Sequence, residues 1–137
     1  MKTIYRLLPL GVALMIFAAA AAPSPAEQKI DAANQAVAAH PDQYSAYNAL
    51  ALALARRARE TSDPKFYEQA DAALDRGFAL VPDNFEGLKL RAWILLGKHE
   101  FAKARELAQT LNRRMPDDVL VYGFLADANI ELGNYAD

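Results

Sequence analysis

The residues of this chain that could support catalysis or metal binding are few and isolated. His40 precedes a proline and has no second metal ligand near it in sequence, and His99-Glu100 opens the run "HEFAK". A zinc-protease helix needs a second histidine at a fixed spacing after such a pair, and this run lacks it. The chain contains no cysteine, which excludes thiolate metal ligands and a cysteine nucleophile. Both histidines are therefore interpreted as structural residues.

Other signatures of catalysis are also missing from the sequence. There is no glycine-rich phosphate loop, no G-x-S-x-G motif and no run of carboxylates at metal-ligand spacing. The adjacent acids Asp117-Asp118 follow a proline, where they suit the positive end of a helix dipole. We expect a protein that is not an enzyme and that has no catalytic residue, cofactor or metal.

The first 26 residues have the three parts of a secretory signal. Lys2 and Arg6 are followed by an uncharged apolar run at 7–22, and Ser24-Pro25-Ala26 offers small residues before Glu27. The run is shorter than the ~20 residues of a usual membrane span. The pattern predicts a cleaved signal peptide, residues 1–26, and a periplasmic or secreted protein. The alternative is an uncleaved inner-membrane anchor formed by 7–22, the one case in which membrane contact is expected.

Charge argues against nucleic acid as a partner. The net charge of the whole chain is −2, and without Lys2 and Arg6 there are 13 basic and 17 acidic residues. No basic stripe with interleaved aromatic residues is present. Arg56, Arg57 and Arg59 form the main basic cluster, which we interpret as the solvated end of a helix.

The elements that position the remaining residues repeat along the chain. Pro-Asp occurs at 41–42, 82–83 and 116–117, with spacings of 41 and 34 residues. Ten residues past each proline stands Ala51, Ala92 or Ala126. Proline prevents the preceding helix from continuing, and the Asp or Asn after it can accept hydrogen bonds from the first amides of the next helix.

Segments before each proline carry apolar or small residues three and four positions apart, as a one-sided helix requires. Tyr67 and Phe101 open two of these segments, and Ala70 and Ala104 follow three residues later, where a facing helix would come close. The pattern predicts an all-α chain with no strand and with helices at 27–39, 43–60, 64–80, 85–97, 100–114 and 118–132.

This pattern resembles the tetratricopeptide repeat (TPR) over residues 27–137. The resemblance implies antiparallel helix pairs stacked as a right-handed α-solenoid, divided into a half repeat 27–41, a repeat 42–82 with a long internal turn, a repeat 83–116 and a truncated repeat 117–137. It also implies protein or peptide binding on a concave face. Arg91 replaces the usual leucine, and its guanidinium is expected to reach water.

The family register implies which side chains face the groove. The candidate partner-binding residues are Asn48, Leu52, Arg56, Glu86, Lys89, Trp93 and Asp127. Trp93 has two interpretations, because its ring could be the anchor for a partner or a filler between helices. Core positions of the same helices are Tyr47, Leu50, Ala51, Leu54, Leu88, Ala92 and Leu95.

The final run "GNYAD" resembles the turn into one more helix, with Tyr135 aligned to Tyr67 and Phe101. We therefore interpret the chain as the front part of a longer repeat protein, with a true frayed end as the alternative. The uncovered side chains of the last helix, including Tyr122 and Leu132, would allow self-association. Two functions remain open: an exported, non-catalytic interaction scaffold, or the accessory N-terminal region of a larger exported enzyme or envelope assembly factor.

Overall fold

The computed structural model describes residues 22–135, and within that range every regular element is a helix. The six helices are α1 (Pro25–Ala39), α2 (Tyr44–Thr61), α3 (Lys65–Leu80), α4 (Phe85–Gly97), α5 (Phe101–Arg114) and α6 (Val119–Glu131). Each end lies within two residues of its sequence-predicted position, so the all-α prediction is confirmed. Most of the predicted signal peptide or membrane anchor, and the last two residues, lie outside the described residues.

The Pro-Asp pairs mark helix junctions, but the residue two positions after the proline makes the cap. The Asn84 side chain accepts a hydrogen bond from the Gly87 amide, and the Asp118 side chain accepts from two amides of α6. Gln43 occupies the same place before α2 and makes no side-chain cap. The proline therefore ends one helix, and at two of the three junctions an Asn or Asp two residues later fixes the start of the next.

The longer spacing between Pro41 and Pro82 is taken up by α2 and by the turn that follows it. Helix α2 has 18 residues, whereas α4 and α6 have 13 each. Ser62 ends α2 in the left-handed conformation with φ of 56°, and the Asp63 carboxylate accepts a hydrogen bond from the Lys65 amide at 3.0 Å. The additional residues thus lengthen the helix and its turn.

Alanines allow the helices to pack closely. Ala70 and Ala104, predicted to face a neighbouring helix, are fully buried. One core cluster joins α2, α3 and Ile94 of α4, and a smaller one joins Ala92, Ala108, Leu111 and Val121. Of the predicted core residues, Tyr47, Ala51, Leu54 and Ala92 are buried, and Leu50, Leu88 and Leu95 are half-buried.

Arg91 differs from its sequence interpretation. Its guanidinium does not simply reach water, because it lies 2.6 Å from the Asp75 carboxylate and 3.3 Å from that of Asp71. The same guanidinium lies 5.3 Å from the centre of the Phe78 ring. Arg91 therefore ties α4 to α3 through charge as well as through its apolar stem.

Consecutive helices contact each other, and contacts also join α2 to α4 and α4 to α6. Helix α4 contacts both α2 and α6, whereas α1 contacts α2 alone among the described helices. No contact joins α1 to α6 within this part of the chain. Between residues 22 and 135, none of the helices has the length and apolarity to cross a bilayer.

Candidate protein-binding groove

The shared surface of α2, α4 and α6 carries a depression of about 270 Å³. Five of the seven sequence-predicted site residues line it: Leu52, Arg56, Glu86, Lys89 and Trp93. Leu90, Leu120 and Phe124 complete its apolar wall. The register that placed these residues on one face of each helix thus brings them together across three helices. We call this depression the Leu52 groove.

A second depression of about 460 Å³ begins on the other side of Trp93. Asp127, the sixth predicted site residue, lines it together with Arg59, Tyr67 and His99. We call it the Asp127 groove. Trp93 lines both grooves, so a ligand in either one would touch its indole ring.

Trp93 combines the two interpretations left open by the sequence. The ring is half-buried and packs against the core cluster of α2 and α3. The Arg59 guanidinium lies 5.4 Å from the ring centre, within the range of a cation–π interaction. The indole is therefore held in place by the core and by Arg59, while part of it lines the grooves.

The ammonium group of Lys89 forms two ion pairs within the protein. Its Nζ donates to the Asp118 carboxylate at 2.8 Å and lies 3.0 Å from the Glu86 carboxylate. Burial alone would lower the pKa of Lys89, but the hydrogen bonds to Asp118 and Glu86 raise it overall. The Lys89 hydrogen bond in turn lowers the pKa of Asp118. Lys89 thus joins α4 to the start of α6, and it lines the groove as one half of an ion pair.

Asn48, the seventh predicted site residue, lies outside the grooves. Its side chain is buried and exchanges two hydrogen bonds with the Asn84 amide, at 3.0 and 3.1 Å. Asn84 at the same time caps the Gly87 amide at 3.0 Å. Buried amides need partners, so Asn48 serves the junction between α2 and α4. The capping position of Asn84 could be read from the sequence, whereas its pairing with Asn48, 36 positions away, could not.

Sequence reasoning missed several residues of the Asp127 groove, among them Arg59, Tyr67 and His99. Arg59 stands three positions after Arg56 and so shares its helix face, a spacing that could have identified it. Tyr67 was assigned only to helix packing, and its phenol lies against the backbone of Gly97, where an added Cβ would sit 2.2 Å from the hydroxyl oxygen. His99 has a left-handed φ of 60° in the α4–α5 turn, which no motif predicted.

The described residues show no arrangement for metal chemistry. Within 22–135, no group of three His, Asp or Glu side chains is placed to hold a metal ion. The two grooves combine apolar walls with charged rims, which suits the binding of a side chain from another molecule.

Searches of family models, curated proteins and solved structures found no match to this chain. The family assignment is therefore a proposal, and it rests on the repeated residues of the sequence and on the helix contacts.

Proposed function

We propose that this chain is a TPR-like repeat protein in which antiparallel helix pairs stack as a right-handed α-solenoid. The contacts of α4 with both α2 and α6 support this arrangement, because stacked pairs bring every second helix together. The phased Pro-Asp junctions and the buried Ala70 and Ala104 support it as well. In this arrangement α2, α4 and α6 form the inner layer.

The proposed function is that of a non-catalytic scaffold that binds a partner protein or peptide across this inner layer. The observation that carries it is the position of Trp93 between the Leu52 groove and the Asp127 groove. A partly exposed aromatic ring in a concave surface is the commonest kind of binding hot spot. Leu52, Leu120 and Phe124 add apolar wall to the groove beside it.

The proposed location is outside the cytoplasm. Its support is the order of basic, apolar and small residues in 1–26. Ser24 caps α1 by accepting a hydrogen bond from the Glu27 amide, so a cut after Ala26 would remove this cap and a cut before Ser24 would keep it. Mass spectrometry of protein from the native host should find a mature N-terminus near Glu27 or a few residues earlier. Intact Met1 in a soluble cytoplasmic fraction would contradict export, and intact Met1 in membranes would favour the anchor.

Site-specific photo-crosslinking tests the proposed binding surface. A photoreactive amino acid at Glu86, on the rim of the Leu52 groove, should give a discrete crosslinked species in the native host. The matched control is Gln109, an exposed residue of α5 that lines neither groove. Trp93→Ala combined with the Glu86 probe should remove the species. Equal crosslinking from Glu86 and Gln109 would contradict a partner site on the inner layer.

A further inference from the structure

The surface around Trp93 has a charge polarity that ion pairs do not cancel. Arg56 and Arg59 are exposed on α2, and Asp127 and Glu131 are exposed on α6. Within residues 22–135, none of these four side chains has an ion-pair partner within 4.0 Å. One wall of the surface is therefore basic and the opposite wall acidic, with Trp93 of α4 between them.

The charges of α4 do not remove this polarity. Lys89 is balanced by Glu86 on its own helix, and its second partner, Asp118, belongs to the start of α6. The Glu86–Lys89–Asp118 group thus carries a net negative charge that adds to the α6 side. Charges without partners at the rim of a binding surface contribute to specificity and to association rate.

We infer that the partner segment is an extended peptide with an acidic residue over α2, a large apolar residue on Trp93 and a basic residue over α6. This inference rests on the proposed function of the surface. The apolar side chain would enter the Leu52 groove beside Trp93. The acidic residue would meet Arg56 and Arg59, and the basic residue would meet Asp127 and Glu131.

Helix geometry sets the spacing of these three residues. Packed helix axes are about 8–10 Å apart, and an extended chain advances about 3.3 Å per residue. About three residues therefore carry the peptide from α2 to α4, and about three more carry it to α6. A helical segment rises only about 1.5 Å per residue, so it would need about twelve residues or more between acid and base.

Selection from a displayed library of random peptides tests this inference on the full-length chain. Peptides enriched on the wild type but not on Trp93→Ala should carry an apolar residue with an acid about three positions to one side and a base about three positions to the other. Peptide direction is free, because the side-chain charges fix only which group lies over which helix. Trp93 is the only tryptophan of the chain, so its fluorescence reports the affinity of each peptide.

Reversing the charge of the basic α2 wall provides the decisive comparison. Arg56→Glu with Arg59→Glu should weaken the selected acid-bearing peptide about fivefold to tenfold, the effect of two solvent-exposed ion pairs. The same peptide with lysine in place of the acid should regain that affinity on the variant. The control is Arg105→Glu with Arg113→Glu on α5, which makes the same charge change outside both grooves and should leave the affinity unchanged.

The outcomes separate the inference from the proposed function. Enriched apolar peptides without paired charges would overturn the inference and leave the peptide-binding function standing. Acid and base separated by twelve or more positions would replace the extended peptide by a helix and also overturn it. No enrichment above the level of Trp93→Ala would overturn both. Affinity that falls equally in the α2 and α5 variants would show a general charge effect and contradict the specific pairing.

Discussion

Helices α1 to α3 expose few large apolar side chains, whereas α6 exposes several. In α1 the exposed residues include Asp31, Asn34 and Gln35. In α6 Val119 is 81% exposed and Ile130 is 57% exposed. A polar outer face suits the side of a helix that faces water. Exposed apolar side chains are available to pack against another surface.

The buried core is also distributed unequally between the two halves of the described chain. The cluster built on α2 and α3 contains nine buried residues, among them Leu74 and Tyr67, and the cluster of α4, α5 and α6 contains four. Partly exposed side chains such as Phe124 and Leu125 border the smaller cluster. We conclude that the first half of the described chain carries most of the stability, and that the second half has more freedom to rearrange.

Truncating a fully buried leucine in each half gives the largest expected effect. Leu74→Ala should lower the free energy of unfolding by about 3–4 kcal/mol, and Leu111→Ala by about 2–3 kcal/mol. The reason for the difference is that partly exposed neighbours of Leu111 can move into the space it leaves. Urea denaturation of both variants measures it. Equal losses would contradict the proposed difference between the halves.

Buried amides provide the next comparison. Asn48→Leu should cost about 1–3 kcal/mol because it leaves the Asn84 amide without its partner. The buried side-chain oxygen of Asn112 in α5 has no hydrogen-bond partner among the described residues. Asn112→Leu should therefore change stability by less than about 0.5 kcal/mol or increase it. A loss above about 1 kcal/mol for Asn112→Leu would indicate that the oxygen binds a buried water.

The sequence predicted these elements well because helix limits are set locally. Pro41, Pro82 and Pro116 stop helices wherever they stand, and the three-and-four spacing of small residues identified the buried faces of Ala70 and Ala104. Five residues of one groove were expected from the register of the repeat family that the sequence resembles, and helical periodicity places such residues on one face of each helix.

The sequence failed where a contact joins distant segments. The partner of Asn48 lies 36 positions away, and the pairing of Lys89 with Asp118 spans 29. Both contacts depend on how one helix junction sits against another helix, which no local pattern encodes. Ile94 of α4 is a fully buried member of the first core cluster. It was missed because alanine and leucine dominate the repeated positions.

The first and last described helices each begin with a carboxylate whose pKa is lowered. The Ser24 backbone amide lowers the pKa of Glu27, and Lys89 lowers that of Asp118. A pKa below its unfolded value means that the group stabilises the native state at neutral pH and that this stabilisation is lost as pH falls through the folded-state pKa. The relevant window begins near the unfolded pKa values of about 4.3 and 3.9.

At pH 7, Asp118→Ala should cost about 1 kcal/mol because it removes a helix cap and the partner of Lys89. Asp118→Asn keeps the cap and should instead flatten the loss of stability below about pH 4. Glu27→Gln should have a smaller effect, since Glu27 is exposed and the glutamine carbonyl oxygen can still accept the hydrogen bond from the Ser24 amide. Thermal melts between pH 7 and 2.5 measure all three. Identical pH profiles for Asp118→Asn and the wild type would contradict a stabilising role of the ion pair.

Substitutions on the outer face of α6 are expected to have the smallest effect on stability and the largest effect on association. Tyr122 is 52% exposed there, and Tyr44 of α2 is 39% exposed in the other half. Changing either tyrosine to glutamate should alter the free energy of unfolding by less than about 0.5 kcal/mol, since both are surface substitutions. An apolar face of this kind favours contact with a second copy, because burying apolar surface yields about 25 cal/mol per Å².

Sedimentation velocity should show concentration-dependent association of the wild type and of Tyr44→Glu, and a clear reduction for Tyr122→Glu. All three proteins share the same residues 1–21, so a difference between the two variants reports the α6 face and not the apolar N-terminal run. If Tyr44→Glu and Tyr122→Glu associate to the same extent, the apolar face of α6 is not the contact between copies, and the polarity of the two halves has no consequence for assembly.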